Sequence, residues 1–235
     1  MRASDILERL EQLGSAEKAQ VLQRFFKTGK GEYGEGDIFL GITVPVMRKL
    51  AGEYQALSST ETLQLLHSTI HEARLVALLI LVCAFERGDD TQRKQVFDLY
   101  LANTAHVNNW DLVDLSAHRI VGPYLEGRDK STLYALAQSR LLWDRRISVL
   151  ATFYYIKRGE FGETLRVAEL LLGDPEDLIH KAVGWMLREV GKRDRGVEEE
   201  FLRSHYTIMP RTMLRYAIEK FPEELRRRYL RGEMP

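Results

Sequence analysis

Apolar residues recur along this chain at three- and four-residue intervals, the spacing that lines one face of an α-helix, and almost no stretch alternates with the two-residue period of a strand. Ile6, Leu7, Leu10 and Leu13 mark a first helix. Ser15 is placed to cap a second, with Val21, Leu22, Phe25 and Phe26 on its inner side. The one glycine-rich stretch, Gly29 to Asp37, reads as a long connection; no Gly-Lys-Ser/Thr closes it and no strand precedes it, so it is no phosphate-cradling loop. Thr43 and Pro45 open a helix through Val46, Leu50 and Tyr54, and Ser58, Ser59 or Thr60 caps the next. The most apolar helix is expected over His71 to Arg87, followed by one over Asp90 to His106. Trp110 to about Val121 comes next, ended near Gly122 and Pro123. Further helices are expected near Ser131–Arg140, Trp143–Arg158, Gly162–Leu172, Asp177–Lys192, Val197–Tyr206 and Thr212–Phe221, with a short basic tail helix after Pro222.

Helix after helix with short turns points to a bundle or a solenoid, and internal similarity separates them. The apolar helices beginning near Glu72, Asp111, Arg146 and Lys181 recur at intervals of about 35 to 39 residues, the size of a two-helix repeat. Such units cannot bury their apolar sides alone, so they stack into a curved array with a concave inner surface. No linker interrupts the pattern, and a single domain over residues 1–235 is expected.

Composition narrows the picture only slightly. The 34 basic and 34 acidic residues cancel, so any basic surface has to come from local segregation. The lone cysteine, Cys83, lies in an apolar run, which excludes a disulfide framework and fits a reducing, cytoplasmic setting. The N-terminus leads straight into an amphipathic pattern without a signal-peptide apolar core, and the run Leu75 to Phe85 is too short to span a bilayer.

The stretch with the most chemical content is Asn108-Asn109-Trp110-Asp111-Leu112-Val113-Asp114. Asn108 or Asn109 can cap a helix here, and Asp111 in the first turn favours the positive end of the helix dipole. Trp110 and Asp114 are four residues apart and therefore share a face, offering a flat ring beside a carboxylate. Spacing alone also allows Asp114 to pair with His118 on the helix surface, Trp110 and Trp185 to be core residues, and Arg146 to snorkel over the surface.

Taken together, Trp110-x-x-x-Asp114, Trp143-Asp-Arg-Arg146, Lys181-Ala-Val-Gly-Trp185-Met-Leu-Arg-Glu189 and Phe39-Leu-Gly-Ile-Thr-Val-Pro45 resemble the motifs of the AlkD-type DNA alkylation repair glycosylases, over about Glu17 to Lys220. The resemblance implies an all-α superhelical solenoid of HEAT-like helix pairs whose concave face holds duplex DNA. The activity it implies is removal of cationic N-alkylated purines, of the 3-methyladenine and 7-methylguanine class, with no metal and no organic cofactor. It assigns the catalytic carboxylate to Asp114, the cleft aromatics to Trp110 and Trp185, and a backbone-contacting arginine to Arg146; Arg145, Lys181, Arg188 and Thr43 join it as DNA-binding candidates. The implied partner is double-stranded DNA carrying alkylated bases, with no membrane, bound by a monomer in the cytoplasm at the nucleoid. The chain departs from the family's pattern at Asn109, where a second tryptophan occurs, at Thr43, where a glutamine occurs, and in its longer glycine-rich loop.

These residue types suit the chemistry. Alkylation at N3 or N7 makes the purine cationic and a good leaving group, and cleavage builds positive charge on the deoxyribose, as in other glycoside hydrolysis. A carboxylate in a partly dried cleft stabilises that charge, and indole faces exclude water and attract a cationic centre. DNA also needs cations along its path, and Arg145, Arg146, Lys157, Arg158, Lys181, Arg188, Lys192, Arg193, Arg211, Arg215 and Lys220 are candidates, with the Glu198-Glu199-Glu200 run expected on outer or loop surface. Two other readings use the same features: a non-catalytic binder of damaged or branched DNA, and a protein-interaction scaffold.

Overall fold

The helical spacing carries through to the coordinates. In the computed structural model, which describes residues 1–234, the regular elements are helices, and the only strand-like feature among the described residues is an isolated bridge between Ile38 and Ile70. The chain divides into two compact units, Met1–Ser116 and Ala117–Pro235.

The first unit holds α1 (Ala3–Leu13), α2 (Ala16–Phe25), α3 (Val44–Glu53), α4 (Ser59–Leu66), α5 (His71–Arg87) and α6 (Asp90–Ala102), then a 3-10 turn over Thr104–His106. The starts follow local chemistry. The Ser15 hydroxyl accepts from Lys18 N–H and the Ser58 hydroxyl from Glu61 N–H, each satisfying a first-turn donor. Asp89 and Gln92 form a reciprocal capping box at α6. Helix α5 is the hub, packed against α1, α3, α4 and α6, and its run from Leu75 to Val82 is buried without a break. Helix α2 departs from the expected pattern. Phe26, which follows it, is buried, but no residue of α2 is, and Val21 and Phe25 are 63% and 62% exposed.

Helix α7 (Trp110–Tyr124) runs through the division between the units. It ends at Tyr124, one residue beyond the Gly122-Pro123 pair near which the sequence places its end, and Gly122 also serves a close approach. A Cβ there would lie 2.4 Å from the Ala151 carbonyl oxygen and 2.6 Å from Tyr154 Cβ. Pro123 falls in the last turn of α7, where it has no N–H to give to the ladder and the helix stops one residue later, at Tyr124.

The second unit continues with α8 (Ser131–Ala137), α9 (Leu142–Ala151), α10 (Phe153–Ile156), α11 (Gly162–Leu170), α12 (Asp177–Gly191), α13 (Arg195–His205), α14 (Arg211–Ala217) and α15 (Glu223–Arg231). The helix expected from Trp143 to Arg158 is divided at Thr152, whose hydroxyl turns back to donate to the Val149 carbonyl, a local bond that competes with the helix ladder. Helix α12 is the hub here, against α9, α10, α11, α13 and α14. Gly184 lets α14 approach closely; a Cβ on it would meet the Met213 carbonyl oxygen at 2.4 Å and Tyr216 Cβ at 2.6 Å. The acidic run at 198–200, expected on outer or loop surface, is helical; Glu200 is exposed, but Glu198 is buried at 2% exposure. Among the described residues no helix is long and apolar enough to cross a membrane.

Candidate functional site

The start of α7 is built from three directions. The Asn109 side-chain carbonyl accepts from Trp110 N–H at 2.8 Å, and its backbone carbonyl accepts from Val113 N–H at 3.2 Å, so Asn109 closes the free end of the helix. Its amide donates to Asp37 at 3.4 Å, which fixes the cap from below. Asp111 turns inward rather than outward. Its Oδ2 lies 2.8 Å from His71 Nε2, and Oδ1 accepts from Leu112 N–H.

His71, the first residue of α5, is the centre of this network. Its other nitrogen, Nδ1, is 3.2 Å from Asp37 Oδ2, so each ring nitrogen faces a carboxylate. Asp37 in turn pairs with Arg74 at 2.7 Å. Burial pushes the His71 pKa down, but the hydrogen bonds to Asp111 and Asp37 outweigh it and the net shift is upward. Burial likewise pushes Asp37 up, and His71 and Arg74 more than reverse it, leaving the carboxyl below its ordinary range. Protonated His71 donates to both aspartates and ties the end of the glycine-rich stretch to the start of α7. Glu72 secures the neighbouring segment: its carboxylate accepts from the backbone N–H groups of Leu40, Gly41 and Ile42 at 2.8–3.2 Å.

Above this polar layer runs an aromatic stack. His71 lies 4.3 Å from Phe39, Phe39 4.8 Å from Phe26, and Phe26 5.0 Å from Trp110, each centroid to centroid, with interplanar angles of 21°, 22° and 10°. Phe25 meets Trp110 edge-on at 5.9 Å. Trp110 is therefore held by other rings and keeps part of its surface exposed. Asp114, one turn on, is half-buried. Beside the stack is a largely apolar cavity of about 390 Å³, lined by Phe25, Phe26, Phe39, Ile42 and Met47 among others, with His71, Glu72 and Asp111 as its polar members. Thr43 also lines it; this residue is exposed, and its side chain makes no capping hydrogen bond to α3.

The remaining residues singled out from sequence lie in the second unit. Arg146 is 5% exposed and donates to the Leu178 carbonyl at 2.7 Å, which pins α9 to the first turn of α12. Arg145 pairs with Asp174 at 2.6 Å, and Lys181 with Asp177 at 2.6 Å, while Arg188 meets Glu219. Trp185 is half-buried, donates from Nε1 to Glu189 Oε1 at 3.3 Å, and lies 6.1 Å from the Phe153 ring. Glu189 is a shared acceptor: burial raises its pKa, and Lys192, Arg193 and Trp185 pull it below the ordinary range.

Sequence reasoning did not single out His71, Asp37, Arg74, Phe26 or Phe153. The available signal for the first was a His-Glu-x-Arg start on an otherwise apolar helix, where buried polar groups require partners. Among the described residues no group of three or more His, Cys, Asp or Glu side chains is placed to hold a metal ion.

This architecture has known counterparts. A solved structure described as a predicted DNA alkylation repair enzyme from Enterococcus faecalis matches with a TM-score of 0.68, covering 89% of this chain and 97% of that one; at 16% identity the likeness is one of fold. A comparison with curated proteins gives no match. The family model for DNA alkylation repair enzymes matches residues 6–221, nearly the whole length that carries the helices above. On that match the chain belongs to the DNA alkylation repair enzyme family.

Proposed function

We propose that this protein is a DNA glycosylase that excises cationic N-alkylated purines, of the 3-methyladenine and 7-methylguanine class, from duplex DNA. The observation that carries the reading is the pairing on α7 of a ring held by neighbouring rings, Trp110, with a half-buried carboxylate one turn further on, Asp114. In a family defined by alkylation repair, that pairing suits a substrate whose reacting centre becomes positively charged.

The reaction needs little beyond this. The bond between C1′ and the purine nitrogen breaks with its electron pair going to the base, which neutralises the base's charge. The deoxyribose becomes oxocarbenium-like, and the Asp114 carboxylate stabilises it by proximity of opposite charge. Water then adds to C1′, its proton passing to Asp114 or to solvent, and an abasic site remains. A leaving group that already carries a positive charge requires no general acid. Trp110 screens the centre from bulk water, and Trp185 is proposed as a second aromatic of the cleft. Arg146, Arg145, Lys181, Arg188 and Thr43 are proposed to contact the DNA backbone, which would make binding salt-dependent and largely blind to sequence.

The test is release of free 7-methylguanine from methylated duplex DNA. Asp114→Asn is expected to keep binding to undamaged duplex and to lose excision by about 100-fold or more, the scale of one well-placed electrostatic group. Undiminished excision by Asp114→Asn removes its role; absence of base release by the parent protein from any alkylated duplex it binds leaves the non-catalytic binder.

A further inference from the structure

We propose that Lys157 and Arg193, which converge on the ring of Phe153, form a binding site for one phosphodiester group of a DNA backbone. The Lys157 ammonium lies 4.3 Å from the Phe153 centroid and the Arg193 guanidinium carbon 5.9 Å from it. The same ring is met by Trp185 at 6.1 Å and, edge-on, by His118 at 5.6 Å. Two cations and two further aromatic side chains thus share one small hub within the second unit.

The charges around that hub do not cancel. Lys157 is exposed and has no ion-pair partner among the described residues. The charges that act on it are those of Arg119, Arg193 and Arg158. Burial of its stem and this gathering of like charge both push the Lys157 pKa down, the state of a cation that lacks its anion. Glu126 pairs with Arg158 at 3.2 Å and accepts from Tyr154, and the one carboxylate that reaches the hub, Glu189, is shared among Arg193, Lys192 and Trp185, so it pairs with Arg193 but not with Lys157.

The donors are also prepared. One Arg193 nitrogen, Nη1, is held by the Glu189 carbonyl at 2.8 Å and by its carboxylate at 3.2 Å, which fixes the guanidinium while the fork's other N–H groups remain to donate. A phosphodiester brings a single negative charge and several acceptor oxygens, the complement of one ammonium beside one guanidinium. Because the Phe153 ring already carries cations, the site grips backbone and reads no base. The proposal rests on the reading of this protein as a binder of duplex DNA and is independent of base excision.

The experiment is the affinity of the full chain for a short undamaged duplex across a salt series. Lys157→Gln is expected to weaken binding by about threefold to tenfold and to reduce the slope of log affinity against log salt by about 0.9, the share of one neutralised phosphate. Lys157→Arg keeps the charge and is expected to restore both. Arg193→Gln in the Lys157→Gln background is expected to lower affinity further, with thermal melting reporting that the fold is intact. Unchanged affinity and slope in Lys157→Gln overturns the proposal, as does a parent protein that binds no duplex. If the slope falls as expected and methylated DNA still releases no base, the phosphate site stands and the glycosylase reading fails.

Discussion

The Trp110 indole lies nearly parallel to the Phe26 ring, with centroids 5.0 Å apart and planes 10° from coplanar. Phe26 is buried and immobilised on its other side by Phe39, so the orientation of the half-buried indole is set by a residue 84 positions earlier in the chain. Phe26→Leu keeps an apolar side chain of similar volume but removes the flat surface, at a stability cost of about 1 kcal/mol. Excision of 7-methylguanine is expected to fall by about tenfold, equivalent to about 1.4 kcal/mol of misplaced transition-state contact, while undamaged-duplex affinity holds. Parent-level excision in this variant would show that the indole's bearing does not matter to the reaction.

The His71 network predicts a dependence of stability on pH. Its folded pKa lies above the ordinary 6.5, so just above that pH the folded chain retains a proton that the unfolded chain has released. The stabilisation is complete below 6.5 and is lost as pH rises through the folded pKa, by up to about 1.4 kcal/mol per pH unit in that window. His71→Gln leaves Asp37 and Asp111 without their shared donor and is expected to destabilise by about 3 kcal/mol or more at pH 6. Denaturant melts across pH 6 to 9 should show the gap between parent and variant narrowing as pH rises; a constant gap would mean that folding does not shift the His71 pKa, and a widening one that the fold holds it neutral.

Glu198 behaves oppositely in origin, though its sign with pH is the same. Burial pushes its carboxyl up to about 8, and its Oε1 has no hydrogen-bond partner. The folded chain therefore prefers it protonated, and ionisation above the ordinary carboxylate range costs stability between pH 4.5 and about 8. Glu198→Gln supplies the neutral form permanently. It is expected to raise stability at pH 8 by on the order of a few kcal/mol and to change little at pH 4. Equal melting temperatures for the two proteins at pH 8 would contradict the burial argument.

Glycines in two helices should respond with opposite signs. Gly184→Ala drives a methyl into the Met213 carbonyl and Tyr216, backbone that cannot swing aside, and is expected to cost about 1–3 kcal/mol. Gly52 in α3 faces open space, with nothing within 4 Å of an added Cβ, so Gly52→Ala is expected to add about 0.5–1 kcal/mol through helix propensity alone. Thermal melts of the two variants decide both.

Much of the fold was legible because helix signals are local. Ser15 and Ser58 cap within three residues of themselves, and the unbroken apolar run of α5 announces burial by composition. What was hidden depends on partners distant in sequence. His71 and Asp111 are 40 residues apart, so nothing near Asp111 distinguishes an inward anchor from a dipole-facing surface charge. Gly122-Pro123 marks the end of α7 at Tyr124 closely, but nothing near it in sequence tells that Ala151 and Tyr154 pack against the glycine. Val21 and Phe25 follow helical spacing yet stay exposed, since the apolar surface they face is the wall of an open cavity rather than a packed helix. Within the candidate site, Trp110 and Asp114 could be placed on a shared helix from spacing alone, while the stack that holds Trp110 could not.

Trp185 follows Gly184 directly, and that adjacency carries a mechanical consequence. At this point of the seam α12 meets the Met213 carbonyl and the Tyr216 Cβ of α14, atoms that no change of rotamer moves. Warming or solvent change can loosen side chains elsewhere in the unit without sliding this joint. The indole that projects from the next residue is thereby aimed by the stiffest material a polypeptide has, as a gauge needle is trued by its spindle rather than by the dial.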